Sequence, residues 1–455
     1  MQGGAGRTPE AIVVGGGFAG LSAATLLAER GARVLLLEAR PHLGGRARSW
    51  VDPQTGSTVD NGQHLLLGGY RDTLDLLDRL GSRERLQLQP RLRVPFVEPG
   101  GSVSVFALPS LPFFSWSLLA GLLRFPGLGF RERLGLLRVT REVGRRSRLP
   151  PAADDLDGVS VSAWLQALGQ SGRAGKRLWH PLATAALNEE PERASAAMFL
   201  PVLRELFLGG AGGSRLGVPR VGLSELYAEP AEHYLRARGS EVRLRAQVRA
   251  LLFERGRCGG VLLADGGRVT AREVIVAVPP DDLLEMLPQE VASEPFFAGC
   301  SRLQMSPIVS IYLWFGVPIT DLPMAGLIGG QWQWIFSRQA TGGAGFGVTL
   351  VQSAARAFVE ASRDALVRRA LDDLHRFFPA SRRATLRHSL VIKEKRASLA
   401  PLTGSLGLRP STRTPRPGLH LAGDWTATGL PATIEGAVLS GHSCARQVLD
   451  ATGPA

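Results

Sequence analysis

Cysteine is scarce in this chain of 455 residues, which contains only Cys258, Cys300 and Cys444. Three cysteines at wide spacing, without a CxxC pair, exclude a disulfide framework and argue against a zinc site. The start of the chain, Met1 to Glu10, also lacks the apolar h-region of a signal peptide. We therefore expect a cytoplasmic protein that holds no metal ion.

Lysine is equally scarce, because only Lys176, Lys393 and Lys395 are present among 53 basic residues. The formal net charge of +13 invites a nucleic-acid interpretation, but so strong a preference for arginine indicates coding bias rather than a groove for a polyanion. No RRM, KH, zinc-finger or helix-turn-helix signature accompanies the charge. We expect no nucleic-acid partner.

Low-complexity segments are missing too, since the 55 glycines and 30 prolines are spread along the chain. With 44% hydrophobic and 20% charged residues, the composition excludes a disordered, collagen-like or coiled-coil protein. The length predicts two or three domains with ample core.

The first motif present is a βαβ unit that begins at Ala11 with the sequence AIVVGGGFAGLSAATLLAERGARVLLLEA. Its GxGxxG glycines permit a tight turn, a close approach of backbone to a pyrophosphate, and the packing of helix on strand. Free N–H groups at the helix start would bind the phosphates. The predicted dinucleotide contacts here are Gly15, Gly17, Phe18, Ala19 and Gly20.

An acidic residue ends the second strand of this unit. Glu38 follows Gly20 by 18 residues, where a carboxylate accepts hydrogen bonds from the ribose hydroxyls of an adenosine and disfavours a 2′-phosphate. We include Ala39 and Arg40, which follow it directly, in the dinucleotide site.

A second glycine motif, ARPHLGGRARSW, comes next at residues 39 to 50. Gly44 and Gly45 would let the backbone pass close to a cofactor, and Arg46 would offer its guanidinium to phosphate oxygens. This motif resembles that of the two-dinucleotide-binding flavoproteins, which include amine oxidases and phytoene desaturases. The resemblance implies that the dinucleotide is FAD.

A third cluster lies near the end of the chain, in GLHLAGDWTATGLPATIEGAVLSGHSCARQVLD at residues 418 to 450. It predicts a short buried strand, a turn at Gly423 and Asp424, and a helix from Thr433. Asp424 would bond the ribityl chain of FAD, and the amides around Pro431, Ala432 and Thr433 would direct the helix dipole at the flavin.

The middle of the chain, residues 218 to 280, predicts a helix, a strand over 241 to 248 and two hairpins that turn at 255–257 and 265–267. In the flavoproteins that the sequence resembles, the strand that holds Val248 contacts the adenine. The sequence therefore predicts an α/β protein with a Rossmann-like FAD-binding domain of the amine-oxidase and phytoene-desaturase type and an inserted α+β substrate domain. We assign residues 8–82, 217–290 and 412–452 to the discontinuous FAD-binding domain, and 83–216 and 291–411 to the substrate-binding domain.

An uncharged, apolar stretch occupies residues 99–123, and residues 124–148 contain eight arginines against two glutamates. Apolar surface beside a basic stripe is typical of a protein that contacts the surface of an anionic membrane, here the inner face of the cytoplasmic membrane. The alternative is an apolar tunnel lining with a solvated arginine face. A second aromatic cluster either faces the pocket or forms ordinary core: Tyr312, Trp314, Phe315, Trp332, Trp334 and Phe336.

Three segments narrow the resemblance: DNGQHLLLGGYRDTLDLLDRLG (60–81), LNEEPERASA (187–196) and AGDWTATGLPATIEGAVLSG (422–441). Together they resemble the squalene-associated FAD-dependent desaturases, now understood as hydroxysqualene dehydroxylases of bacterial squalene and hopanoid synthesis. Glu189 and Glu190 make the second segment more acidic than is common in that family, and we assign them no catalytic role.

The resemblance implies that reduced FAD removes the allylic hydroxyl of a long apolar isoprenoid. Such a reaction needs an acid, a dry cavity and a well-placed flavin. His64, which can carry a proton near neutral pH, and Asp60 are the candidate acids, and Gln63 would orient substrate or flavin. The alternative for Asp60 and His64 is a structural role in the loop.

Two other functions share these motifs. A carotenoid desaturase of the phytoene type would use FAD as the oxidant, and a prenyl-lipid carrier would need no flavin. An amine oxidase usually has a lysine beside the flavin, and no lysine lies beside a flavin motif here.

Overall fold

The computed structural model describes residues 8–108, 120–121, 128–148, 155–170, 172–339 and 345–452. Residues 109–119 and 122–127, within the segment expected to contact membrane or to line a tunnel, lie outside the described residues.

Among the described strands, the two longest have 14 and 11 residues and lie in the C-terminal half. In chain order the strands are β1 (Ala11–Val14), β2 (Val34–Leu37), β3 (Ser49–Val51), β4 (Thr58–Asp60), β5 (Leu66–Leu67), β6 (Leu86–Leu88), β7 (Arg93–Val97), β8 (Val103–Ala107), β9 (Leu216–Pro219), β10 (Glu241–Arg243), β11 (Val248–Glu254), β12 (Arg257–Leu263), β13 (Arg268–Thr270), β14 (Glu273–Val276), β15 (Met305–Phe315), β16 (Met324–Leu327), β17 (Trp334–Gln339), β18 (Phe346–Gln352), β19 (Leu386–Leu399) and β20 (Leu419–Leu421).

The α-helices of seven or more residues are α1 (Phe18–Glu29), α2 (Arg71–Arg79), α3 (Phe130–Arg146), α4 (Val161–Ala167), α5 (His180–Leu187), α6 (Ala196–Leu208), α7 (Glu229–Ala237), α8 (Pro280–Met286), α9 (Arg363–Phe377) and α10 (Ile434–Thr452). Shorter helical turns are Arg83–Arg85, Gly175–Trp179, Gly210–Gly213, Ser224–Ala228, Gln289–Ala292, Pro295–Ala298, Gly299–Arg302, Arg356–Val359, Pro379–Arg383 and Leu406–Leu408.

A five-stranded parallel sheet in the order β10-β2-β1-β14-β20 forms one half of the molecule. Its strands β1, β2, β14 and β20 are buried along their whole length, because α1, α7 and α10 cover one face of the sheet and the antiparallel strands β11 and β12 cover the other. Strands from three separate stretches of the chain share this sheet. The predicted α/β class and Rossmann-like unit are thus confirmed.

The strand predicted over 241–248 is in fact two strands in different sheets. β10 pairs with β2, whereas β11 forms an antiparallel sheet with β12 and β13. Arg245, between them, has a left-handed backbone with φ 56°, which ends the first strand. The predicted hairpin turns around Gly256 and Gly266 are confirmed, and both glycines have positive φ.

A seven-stranded sheet in the order β19-β15-β18-β17-β16-β7-β8 forms the second half. Its pairs are antiparallel except for β16 with β7, which is parallel. Helices α3 to α6 bury a separate apolar core beside it, with Trp179 and Phe199 at its centre. Within the described ranges, no helix is both long and apolar enough to cross a bilayer.

The packing of α1 on β1 can be tested by a substitution at Gly20. A Cβ at this position would lie 1.9 Å from the carbonyl oxygen of Gly15, so backbone would have to move. We expect Gly20→Ala to destabilise the apoprotein by about 1–3 kcal/mol, measured by urea unfolding. The matched control is Gly144→Ala in α3, where nothing lies within 4 Å of the new methyl group. This variant should be as stable as the parent or gain about 0.5–1 kcal/mol. Equal stability of the two variants would contradict the packing argument.

Candidate active site

One cavity of about 1380 Å³ lies where the two sheets and the helical layer meet. It exceeds the usual 300–1000 Å³ of a small-molecule site, so there is room for two ligands side by side. Residues from the glycine motifs line one part, and apolar side chains line the other.

The glycine motifs form a wall without side chains. Gly15 has φ +105°, and a Cβ on it would lie 2.6 Å from the carbonyl oxygen of Ala277. Gly45 has φ +56°, and its Cβ would lie 3.2 Å from the Cα of Gly17. The two loops therefore touch, and only glycine fits there. Gly15, Gly17, Phe18, Ala19, Gly44 and Gly45 line the cavity, whereas Gly20 does not and instead packs α1 on β1.

Glu38 lies at the edge of this wall, as predicted for the ribose contact. One carboxylate oxygen accepts a hydrogen bond from the Gly16 amide at 2.8 Å, and the other accepts one from the Arg40 amide at 2.9 Å. Each oxygen has a further lone pair for a ligand. Ala39, Arg40 and Val248 line the same part of the cavity.

Tyr227 holds the second glycine loop in place. Its hydroxyl donates to the carbonyl oxygens of Gly44 at 2.7 Å and Ala47 at 3.0 Å. Its ring stacks on Phe18 with centroids 3.5 Å apart. The sequence interpretation did not select Tyr227, because these contacts join segments about 180 residues apart.

Arg46 and Asp424 form an ion pair across the cavity wall. A guanidinium nitrogen lies 2.7 Å from Asp424 Oδ1, and the other terminal nitrogen donates to the carbonyl oxygen of Ala397 at 3.0 Å. Burial lowers the pKa of Arg46, but the charge and hydrogen bond of Asp424 outweigh it, and the pKa lies above its ordinary value. Gly423, Pro431, Ala432 and Thr433 line the cavity next to this pair.

Only two of the three candidate catalytic residues line the cavity, although the Asp60 backbone and the Gln63 side chain both hydrogen-bond to the hydroxyl of Tyr312. Gln63 and His64 line the cavity, and Gln63 Nε2 donates to the hydroxyl of Tyr312 at 3.0 Å. Asp60 is buried outside the cavity lining, where its Oδ1 accepts hydrogen bonds from the Ser49 hydroxyl at 2.7 Å and the Leu223 amide at 3.0 Å. The structural role weighed for Asp60 thus accounts for its position.

His64 lines the cavity, but its protonation state differs from the one expected from the sequence. Its Nδ1 lies 2.7 Å from the carbonyl oxygen of Gly62, so Nδ1 carries the proton and donates it. Burial lowers the pKa of His64 below 6.5, opposed by the Gly62 carbonyl and the charge of Asp60 and reinforced by Arg46. The protonated form is therefore minor at neutral pH, contrary to the expected proton near neutrality.

The second part of the cavity is strongly apolar. Of the aromatic cluster, Trp334 and Phe336 line it, whereas Tyr312, Trp314, Phe315 and Trp332 are buried core. Other lining side chains come from β7 and from α5 and α6: Val94, Phe96, Leu182, Val202, Leu206 and Phe207. A long hydrocarbon fits such a lining.

Comparisons with known proteins agree with this geometry. The family described as flavin-containing amine oxidoreductases matches residues 18–449. This chain belongs to that family. A hydroxysqualene dehydroxylase of Rhodopseudomonas palustris is 32% identical over 96% of this chain and 98% of its own. A 15-cis-phytoene desaturase of Narcissus pseudonarcissus is 27% identical over 97% of this chain and 79% of its own.

Solved structures agree on the fold. A cyclohexylamine oxidase of Brevibacterium oxydans has a TM-score of 0.72 at 18% identity, covering 98% of this chain and all of its own. The protein is an FAD-dependent oxidoreductase, and its wall of glycines, Glu38, Arg46 and the start of α10 fit the adenosine, phosphates and flavin of that cofactor.

As far as the structure describes the chain, the lysines and Glu189 do not contribute to the lining of this cavity. Within the described part of the chain, no lysine lines the cavity, and the amine of Lys393 donates to the carbonyl oxygens of Val359 and Ala361. Glu189, which received no catalytic role, is fully buried and pairs with Arg356 through both carboxylate oxygens at 2.7 and 2.6 Å.

Glu38 provides a test of the cofactor site. Glu38→Ala removes charge-assisted hydrogen bonds worth about 1.5–3 kcal/mol, so FAD should dissociate roughly ten to a hundred times more readily. Flavin absorbance retained after extensive dialysis measures this loss. Glu10→Ala, which removes an exposed partner of Arg33, is the control and should keep its FAD. Equal flavin retention in both variants would show that Glu38 does not bind the adenosine.

Proposed function

We propose that this flavoenzyme reductively removes the allylic hydroxyl of hydroxysqualene to give squalene, as in bacterial squalene and hopanoid biosynthesis. The observation that carries the proposal is a long apolar cavity continuous with the FAD wall, with few polar groups at their junction. The similarity to a hydroxysqualene dehydroxylase over nearly the whole of both chains supports it.

FAD, when bound and reduced, supplies the hydride that replaces the hydroxyl group. Arg46 and Asp424 would hold its phosphates and ribityl chain, and Pro431, Ala432 and Thr433 would contact the flavin. The protein's own residues must bind the hydrocarbon, exclude water and deliver a proton to the leaving oxygen.

His64 is the proposed source of that proton. Nδ1–H is fixed by Gly62, so a second proton can reside only on Nε2 of the imidazolium. Gln63, which is oriented by Tyr312, would position the hydroxyl group. Since burial lowers the pKa of His64, the protonated form is less populated at neutral pH than it would be for a histidine in water.

His64→Ala should leave FAD bound and slow the loss of the hydroxyl about 10²- to 10⁴-fold. In the parent enzyme, turnover should fall as pH rises through a pKa below 6.5, since the protonated form is lost. Stopped-flow reduction of the flavin is the control, because damage to that half-reaction would mimic the effect. Near-parental conversion by His64→Ala would place the proton donor elsewhere.

A phytoene-type desaturase is the second candidate, supported by the 27% identity to the Narcissus enzyme. Anaerobic incubation of the reduced enzyme with hydroxysqualene, and of the oxidised enzyme with phytoene, separates the two. New double bonds in phytoene, with hydroxysqualene left intact, would replace the proposed reaction.

We also propose that α3 contacts an anionic membrane surface, from which the substrate enters. Phe130, Leu134 and Leu137 are 76%, 48% and 40% exposed and follow one another at i, i+4 and i+7 along the helix. Arg138 and Arg141 are exposed beside them. The opposite face of α3 packs on α6, which lines the cavity. An exposed apolar stripe beside cations suits a lipid surface.

The purified protein should sediment with vesicles of phosphatidylcholine and phosphatidylglycerol at low salt. Salt alone should release only part of it, because the burial of apolar side chains is not screened, and salt with detergent should release the rest. Replacing Phe130, Leu134 and Leu137 together by Ser should weaken sedimentation and let salt alone release the protein that remains bound, because the arginines stay in place. Val317→Ser, at an exposed valine elsewhere, should not. If the parent stays in the supernatant, the interpretation of this region as a tunnel lining is favoured.

A further inference from the structure

Glu205 is a carboxylic acid in the apolar part of the cavity. It is not among the residues proposed to bind FAD or to transfer a proton. It lies on α6 and lines the cavity close to Val202 and Leu206. Its Oε1 is buried and has no hydrogen-bond partner in the described part of the chain. An unpartnered buried polar atom costs about 1–3 kcal/mol, so it is a group for which a partner is expected.

Three glycines make room for this carboxyl group. A Cβ on Gly69, Gly209 or Gly213 would lie 2.1, 2.2 or 2.2 Å from Glu205 Oε1. The amides of Gly69 and Gly209 do not serve the carboxyl group, since they donate to the carbonyl oxygens of Gly213 and of Glu205 itself. The chain thus has glycine at three positions around the Glu205 carboxyl group. Within the described residues, it makes no hydrogen bond to that group.

The Glu205 carboxyl group is connected, through Gly69 and Tyr70, to the end of the cavity where the flavin would bind. Gly69 directly precedes Tyr70, whose hydroxyl lies beside Thr433, a proposed flavin contact. Burial, reinforced by the charge of Glu435, raises the pKa of Tyr70 to about 12, so this link stays neutral. Because Glu205 is partly exposed while Oε1 is enclosed, its second oxygen is the polar atom left for a ligand.

We propose that Glu205 accepts a hydrogen bond from the hydroxyl group of the isoprenoid alcohol and thereby selects the alcohol over the hydrocarbon. This inference rests on the proposed function. No bond is made or broken at Glu205, because the O–H donates to the carboxyl oxygen while a lone pair on the same hydroxyl oxygen stays free to take a proton. The product has no hydroxyl group, so it loses this contact and leaves.

The test compares the binding of hydroxysqualene and squalene to the oxidised holoenzyme, which cannot supply a hydride. Perturbation of the flavin absorbance spectrum reports the Kd of each ligand. The parent should prefer hydroxysqualene. Glu205→Leu should lower this preference roughly 10- to 100-fold and leave the Kd for squalene nearly unchanged. Glu205→Gln, which keeps an acceptor oxygen of the same shape, should retain part of the preference.

Two more variants test whether the preference depends on the position of the Glu205 carboxyl group or on any carboxyl group in the cavity. Gly213→Ala should lower the preference without removing the acid, because its methyl group would displace the Glu205 carboxyl group, the only group of the described residues within 3 Å of it. Glu394→Gln is the matched control, since Glu394 also lines the cavity but accepts a hydrogen bond from Asn61 at 2.9 Å. Thermal unfolding and flavin content confirm that each variant is folded.

The outcomes separate the two proposals. A parent enzyme that converts hydroxysqualene while Glu205→Leu keeps the full preference would overturn the role of Glu205 alone. Loss of the preference in Glu394→Gln, with Glu205→Leu unaffected, would do the same and move the hydroxyl site. A parent that neither prefers nor converts hydroxysqualene would overturn the proposed function itself.

Discussion

The site depends on the close contact of the first and last long helices, α1 and α10. A Cβ on Gly441 of α10 would lie 2.1 Å from both the Ala19 carbonyl oxygen and the Ser22 hydroxyl, so only glycine permits this approach. Ser22 then donates to the carbonyl oxygen of Val438 on the neighbouring helix at 3.2 Å. Through this contact, two glycine motifs that are about 400 residues apart in sequence reach one cavity.

Two buried charged groups fix the loops that this contact brings together. Glu435 caps the start of α2 by accepting hydrogen bonds from the Asp72 and Thr73 amides, both at 2.9 Å. Arg409 donates to the carbonyl oxygens of Asp424, Thr426 and Leu430, and thereby holds the turn that leads into α10. Burial lowers the pKa of Arg409 to about 10, which leaves it charged at neutral pH.

The features that could be predicted from the sequence are those encoded in local spacing. A tight turn needs glycine, and an acid at the end of the next strand reaches the ribose, so Gly15, Gly45 and Glu38 could be selected from neighbouring residues alone. Contacts between distant segments leave no such pattern. Tyr227 bonds to Gly44 and Ala47, and Glu205 lies against Gly69, in both cases far away in the chain.

Asp60 and His64 show that nearness in the sequence does not decide where two side chains lie. Both residues stand in one short motif, but the chain turns between them. The Asp60 carboxylate lies against the Leu223 amide, and the His64 side chain lies in the cavity. Charge also depends on surroundings, because burial moves the pKa of His64 away from the value that its residue type suggests.

A cavity of this kind obtains its affinity and its selectivity from different atoms. Burial of a long hydrocarbon contributes about 25 cal/mol per Å² of apolar surface, and almost all of that surface is shared by an isoprenoid alcohol and the hydrocarbon made from it. Apolar side chains such as Phe96, Trp334 and Phe207 would therefore bind the alcohol and the hydrocarbon nearly equally. Discrimination must come from the few polar atoms near the flavin. An acceptor that bonds only the alcohol strengthens substrate binding and, once the hydroxyl group has gone, leaves the product held by apolar contacts alone.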